Sequence, residues 1–247
     1  MRIRLPLGRS LFVFCLFLLA MLALLPMRLG LAWLGLDNYG LAAREARGSV
    51  WNGALVEAQY GDAALGDLDA GLGFLPMLIG RARIAFEREA VEGAPADDPG
   101  LGEFSGAISV SGANFSIDDM VARLPAAEIF APLPIAAIDL ESVTARFENG
   151  LCVEAEGLVR ARLAGDLGGV SLPGTVTGAA RCDEGRLLLP LIGQSGMEQI
   201  DLRIGAAGDY SIELVVTPSD DAMREQLTRS GFQLGSRGYM MTIQGQF

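Results

Sequence analysis

The 247-residue chain has no histidine. That absence removes Ser-His-Asp and Cys-His catalysis, and the usual His-containing zinc and iron sites, from what the chain can do. Lysine is missing too, a compositional bias that leaves arginine to supply all 19 basic side chains against 30 acidic ones. The resulting net charge of −11 argues against nucleic acid and against adhesion to anionic lipid head groups. Cysteine is scarce, with three residues. Cys15 lies in an apolar run and reads as a small buried hydrophobe. Cys152 and Cys182 are too far apart for a C-x-x-C redox pair.

Charge of either sign is absent from residues 11–27, a run of Leu, Phe, Val, Ala and Met with one Cys and one Pro. At roughly 1.5 Å per helical residue the run covers about 26 Å, a little less than a hydrocarbon core of about 30 Å. Arg28 interrupts it, residues 29–36 resume it, and an arginine near a helix end can reach the interface with its long stem. The expectation is a transmembrane anchor over residues 11–36. The preceding residues 1–10 carry Arg2, Arg4 and Arg9 with no acid, and positive flanks stay cytoplasmic. Residues 37–247 would then lie across the membrane. With four arginines and no acid in the first 28 residues, the remainder carries −15. A cleaved signal peptide has the same basic-then-apolar order. Pro26, Met27, Arg28 and Trp33 stand where its small-x-small cleavage site would fall, so the uncleaved anchor is the favoured reading. Trp33 and Tyr39 suit a membrane–water boundary, and equally two ordinary aromatics.

After the anchor the pattern is one of short strands. Glycines bracket residues 48–53, which lead into a strand over 54–60. Residues 63–72 and 81–86 suggest a strand pair, with 74–80 as a turn or short helix between them. Residues 87–102, rich in Pro, Gly and Asp, break the pattern and form either a hairpin tip or a boundary between two lobes. Residues 104–110 alternate with a two-residue period. Ser116, followed by Asp118 and Asp119, has the signature of a short helix near Ile117 that ends before Pro125. Further strands are predicted at 137–147, 151–163, 174–181, 186–191, 199–206 and 210–216, with glycine turns between them. One more helix, near Asp220, is expected with Ser219 as its cap and Gly231 as its stop. A last strand closes the chain over 238–247. The fold class is therefore mostly β: an antiparallel, curved or sandwich-like sheet with two short helices, behind one N-terminal transmembrane helix.

Candidate chemistry is thin. Asp97/Asp98, Asp118/Asp119 and Asp220/Asp221 are acidic pairs, but two of them sit at predicted helix starts and the first lies in a proline loop. The segment 193–196 resembles a nucleophile turn around Ser195, with no histidine to activate it. Asp62, Asp67 and Asp69 do not match the calcium-loop spacing. The reading is a protein without catalytic residues, cofactor or metal. Cys152 and Cys182 have a structural use. Each lies at a strand end, and a compartment outside the cytoplasm allows a disulfide. Closing the loop between them would add roughly 3–4 kcal/mol on the chain-entropy model. Two buried thiols are the alternative.

Several segments, in order, resemble the general secretion pathway protein N family of the bacterial type II secretion system. They are the basic-flanked anchor, then Gly48, Trp51 and Gly53, then Pro76 to Gly80, then Cys152 to Gly157. Cys182 and Gly185 follow, leading into Leu187, Leu188 and Leu189, and after them Gly231 and the closing Gly238, Tyr239, Gly245 and Phe247. Leu72 stands where the family tends to carry a second tryptophan, four residues before Pro76. The resemblance implies a periplasmic domain held at the inner membrane, assisting export of folded proteins across the outer membrane. It also implies contacts with other secretion components in place of catalysis. An alternative comes from the strand pattern itself: anchored periplasmic lipid-binding or lipid-transfer proteins use curved sheets with an apolar groove. Sheet edges offer strand addition as a route to partners.

Overall fold

Leucine, alanine and methionine, which are good helix formers, carry the first apolar run into helix α1 (Leu7–Ala23). Pro26 lacks an N–H and stops it. The ladder closes with Leu24 N–H on the Ala20 carbonyl at 3.0 Å, and restarts with Leu29 N–H on the Pro26 carbonyl at 3.0 Å. The restart is α2 (Met27–Leu34). Over residues 11–34 the expected span is thus two helices and not one. No helix among the described residues is long and apolar enough to cross a membrane. The computed structural model describes residues 7–34, 41–60, 63–90, 102–126, 130, 135–163, 166–167, 170–171 and 174–246. Tyr39 and the Asp97/Asp98 pair lie outside them.

An antiparallel meander follows, each strand pairing with the next. It comprises β1 (Leu41–Ser49), β2 (Asn52–Tyr60), β3 (Ala63–Leu72), β4 (Ala82–Arg88), β5 (Phe104–Ser111), β6 (Asn114–Pro125), β7 (Ile135–Glu148) and β8 (Leu151–Leu163). The short helix α3 (Phe74–Leu78) connects β3 and β4. Two-residue strands β9 (Asp166–Leu167) and β10 (Val170–Ser171) pair only with each other. The main sheet continues through β11 (Thr175–Ala179), β13 (Arg186–Gly193), β14 (Glu198–Ile204) and β15 (Asp209–Val216). β12 (Arg181–Asp183) also pairs with β13, α4 (Asp221–Arg229) comes next, and β17 (Tyr239–Gln246) and β16 (Gln233–Leu234) end the order. The result is one open 15-stranded sheet and not a sandwich of two.

Turn chemistry fixes the registers. Asn149 and Gly150 take φ of 51° and 83°, the left-handed pair that a two-residue hairpin needs, and join β7 to β8. Residues 87–102 connect β4 and β5, which pair from Ala82↔Val110 to Arg88↔Phe104, so the sheet runs on across the break.

One expected element is replaced. The helix predicted near Ile117 is strand β6. Asp119 adopts φ of 50°, and the ladder to β7 slips between Ile117 and Met120. This bulge brings Ile117 and Met120, three residues apart, to the same apolar side. A bulged strand therefore wears a helical spacing. At α4 the helix forms as expected, but its cap is Asp220 and not Ser219. The Asp220 carboxylate accepts from Met223 N–H at 2.7 Å.

The apolar side chains form two clusters. The first joins Met27 of α2 to Leu55, Leu65, Leu68, Phe86, Phe104 and Met120 of β2 to β6. The second spans β7 to β17, with Val159, Val176, Leu191, Ile200, Leu202, Ile212 and Leu214 at its centre and Phe130, Leu227 and Phe232 against it. Leu140 of β7 packs against both, so the core divides at β7. Asp139 beside it is buried between Arg123 of β6 and Arg162 of β8, with Arg162 Nε at 3.2 Å. Burial alone would raise its pKa; the hydrogen bonds and charges of Arg123 and Arg162 outweigh burial and hold the carboxyl below its ordinary value.

Candidate functional site

The sequence motifs gather where the helices meet the sheet. Gly48 pairs with Gly53 across the β1–β2 turn, whose tip is Val50 and Trp51. The tip grips the α1–α2 break from three sides. Val50 N–H donates to the Leu25 carbonyl at 2.9 Å, Ser49 bridges to Pro26, and the Trp51 indole N–H donates to the Leu22 carbonyl at 2.9 Å. That carbonyl belongs to the last turn of α1, where it also accepts from Leu25 N–H at 3.3 Å, so Trp51 supplies a second donor, from the sheet, to the end of the helix. Close packing explains Gly53. A Cβ there would stand 2.7 Å from the Arg47 carbonyl and 3.2 Å from the Met27 side chain. On its other side the Trp51 ring meets Phe74 of α3 edge-on, with centroids 5.6 Å apart.

Pro76 sits inside α3, and its carbonyl accepts from Ile79 at 3.2 Å and Arg81 at 3.0 Å. Gly80 then turns the chain into β4. Leu72, at the place of the family's second tryptophan, donates its N–H to the Val50 carbonyl at 2.7 Å. The backbone link between β3 and the Trp51 turn is thus independent of that side chain.

A second group lies far along the sheet. Cys152 and Cys182 are joined as a disulfide with Cα atoms 5.5 Å apart, within the usual range. Around it, Cys152 N–H donates to the Gly185 carbonyl at 2.7 Å and Ala180 N–H to the Gly157 carbonyl at 2.9 Å. The Cys and Gly positions of the two middle motifs thus form one clasp between β8, β12 and the β12–β13 turn. Gly231 follows α4, and Gly245 of β17 lies under Tyr210, whose hydroxyl would be 2.4 Å from a Cβ there. Cys15 is a free, exposed thiol on α1.

The remaining candidates for chemistry have structural partners. Ser195 donates to Glu198 in the β13–β14 turn and accepts from Met197 N–H at 3.1 Å. Asp118 accepts from Ser109 at 2.9 Å, with Arg83 at 3.5 Å and Arg81 at 3.8 Å. Burial raises its pKa, but Ser109, Ser116, Arg83 and Arg81 together bring it below the ordinary value. Asp67 accepts from the Glu57 amide at 2.8 Å, at the β2 bulge. Among the described residues no group of three or more His, Cys, Asp and Glu is placed to hold a metal.

The two ends of the sheet differ. β1 is an edge lined by Arg44, Glu45 and Arg47, charges that discourage further pairing. At the other end β16 covers only Tyr239 and Met240 of β17. Beyond them residues 241–246, with no charge and no proline, have no outer strand partner among the described residues. Sequence reasoning could not find this edge, because it depends on which strands pair. The part played by Met27 and Phe74 was equally hidden, since each meets the Trp51 turn only in the fold.

No curated protein and no solved structure matches the chain. The family model for type II secretion system (T2SS), protein N matches residues 39–242, which takes in the Trp51 turn, the disulfide clasp, α4 and the first half of β17. The chain belongs to the type II secretion system protein N family.

Proposed function

We propose that this secretion component is a non-enzymatic protein of the inner membrane, with α1 as its anchor and the sheet in the periplasm. In this role it assists the export of folded proteins across the outer membrane through contacts with other components of the system. The observation that carries the anchor is the exposure of α1: Leu11, Phe12, Phe14, Leu16, Phe17 and Leu19 all face outward from the chain with nothing packed over them. Such a helix is costly in water and stable in lipid. Arg2 and Arg4 before it and Arg9 in its first turn set its N-terminus in the cytoplasm. The edge of β17 is the route to a partner that the fold best supports, because an added strand would complete its main-chain hydrogen bonds. A lipid-sheltering groove would instead need an open apolar face, whereas Val159, Ile212 and Leu214 at the centre of the larger cluster are buried.

The test is complementation in a deletion strain of the source bacterium. Deletion is expected to trap secreted enzymes in the periplasm, and the full chain to release them. A chain whose first 26 residues are replaced by a cleaved signal sequence is expected to reach the periplasm and fail to restore export. Normal export without the protein would overturn the secretion role, and full rescue by the released domain would overturn the anchor.

A further inference from the structure

The Trp51 turn holds a second apolar feature beside the end of α1. α3 and the residue after it present Phe74, Leu75, Leu78 and Ile79 to the outside, with Leu75 at 74% and Ile79 at 80% exposure. Residues 70–80 contain no charged side chain, in a domain that carries −15. Short exposed turns normally carry polar residues, because apolar side chains gain nothing from water. Here the tip is built to be apolar and is held rigidly. Pro76 stiffens α3, Gly73 N–H donates to the Arg83 carbonyl at 2.7 Å, and Phe74 rests on Trp51.

Its position decides what covers it. The Trp51 indole is bonded to the Leu22 carbonyl at the end of α1, and its ring touches Phe74. Leu24 and Leu29, on either side of the helix break, are exposed at the same junction. The apolar surface of α1 therefore continues through the break to α3, with Trp51 between them, the residue type that favours the membrane boundary. We infer that α3 is a second membrane contact: its Phe74, Leu75, Leu78 and Ile79 side chains enter the outer leaflet of the bilayer that α1 occupies, and fix the tilt of the sheet. The inference rests on α1 being an anchor. It needs no basic patch, because the contact is apolar; Arg81 and Arg83 nearby are already engaged with Asp118.

The experiment uses the full chain in phosphatidylcholine vesicles, with an environment-sensitive fluorophore on one thiol at a time. The native Cys15 reports on α1. Ile79→Cys in a Cys15→Ser background reports on α3, and Val153→Cys, exposed on β8, is the aqueous control. Vesicles carry a lipid with a nitroxide quencher near the head group or deep in its acyl chain, the second to reach Cys15 at the middle of α1, or the same lipids without it. Quenching and a blue shift at Ile79→Cys, absent at Val153→Cys, are expected. Quenching at Cys15 with none at Ile79→Cys would overturn the contact and leave the anchor intact, as would an α3 covered by a partner protein. No quenching at Cys15 would overturn the anchor and, with it, the contact that α3 is inferred to make beside it. Leu75→Cys is a second site that guards against a local effect of the label, and its silence would count against the contact.

Discussion

The two halves of the sheet are built from the same strand type but held together by different means. From β7 onward the inward positions include Ala145 and Ala161 but are mostly larger, and Ile135, Leu191, Ile200, Leu202, Ile212 and Leu214 are fully buried. α4 covers them with Leu227, and the Cys152–Cys182 bond clasps their edge. From β1 to β6 the inward positions include Ala58, Ala70 and Ala122, and Leu55 alone among the largest fully buried side chains belongs to this half. In place of bulk, the N-terminal half has Met27 from α2 and the Trp51 cap on α1. The difference suggests a division of labour. The C-terminal half has its own bulk to hold it together, while the N-terminal half borrows stability from α1 and α2.

The contrast is most exposed to matched truncations. Leu214→Ala is expected to cost toward the upper end of about 2–5 kcal/mol, because its neighbours are rigid and a cavity would persist. Leu55→Ala falls toward the lower end, where Ala58 and Met120 leave room for collapse. Urea unfolding of the detergent-solubilised chain would measure both, and equal costs would break the contrast. Next in size, Cys152→Ala with Cys182→Ala is expected to lower stability by roughly 3–4 kcal/mol on the chain-entropy model. Hydrogen exchange should report that loss in β8, β13 and β14 and leave β2 and β3 unchanged. A loss spread evenly over the sheet would mean that the clasp serves both halves.

The seam between the halves titrates. Asp139 has a folded pKa below its ordinary value, so its contribution is complete above the unfolded pKa of about 3.9 and disappears as pH falls through the folded value. Asp118, within the N-terminal half, shifts in the same direction. Stability should therefore decline as pH drops below about 4. Asp139→Asn should remove about 1.5–3 kcal/mol at neutral pH, typical for charged hydrogen bonds, and flatten the acid decline. An acid limb as steep in Asp139→Asn as in the natural chain would place the titration elsewhere.

Much of this fold was legible residue by residue. Asn149 and Gly150 announced the β7–β8 hairpin because only a left-handed pair closes a two-residue turn, and the acids before Met223 announced α4. The disulfide followed from compartment and strand ends. β1 was invisible, since Ala, Arg and Glu are helix formers and its charges mark an edge and not a period. β6 was misread because Ser116, Asp118 and Asp119 have the composition of a helix start, whereas in the fold Ser116 and Asp118 bond to Arg81 and Arg83 and Asp119 takes the bulge. The joint could not be read at all: the Trp51 partner is a backbone carbonyl 29 residues away, and carbonyls leave no trace in sequence. Motif residues marked the place but not its use.

The smallest expected effect tests the comparison most finely. Asp220 caps α4, and Asp220→Ala should cost about 1 kcal/mol, with Asp220→Ser recovering most of it. α4 reaches the core through Leu227, which belongs to the C-terminal cluster alone. If the halves are separable, the loss should appear in the exchange of β14 and β15 amides and be absent from β2. If β2 loses protection by the same amount, Leu140 and Asp139 couple the two clusters into one cooperative unit. The N-terminal half would then draw its stability from the stapled core as well as from the helices, and removing α1 would cost the sheet less than its sparse packing implies.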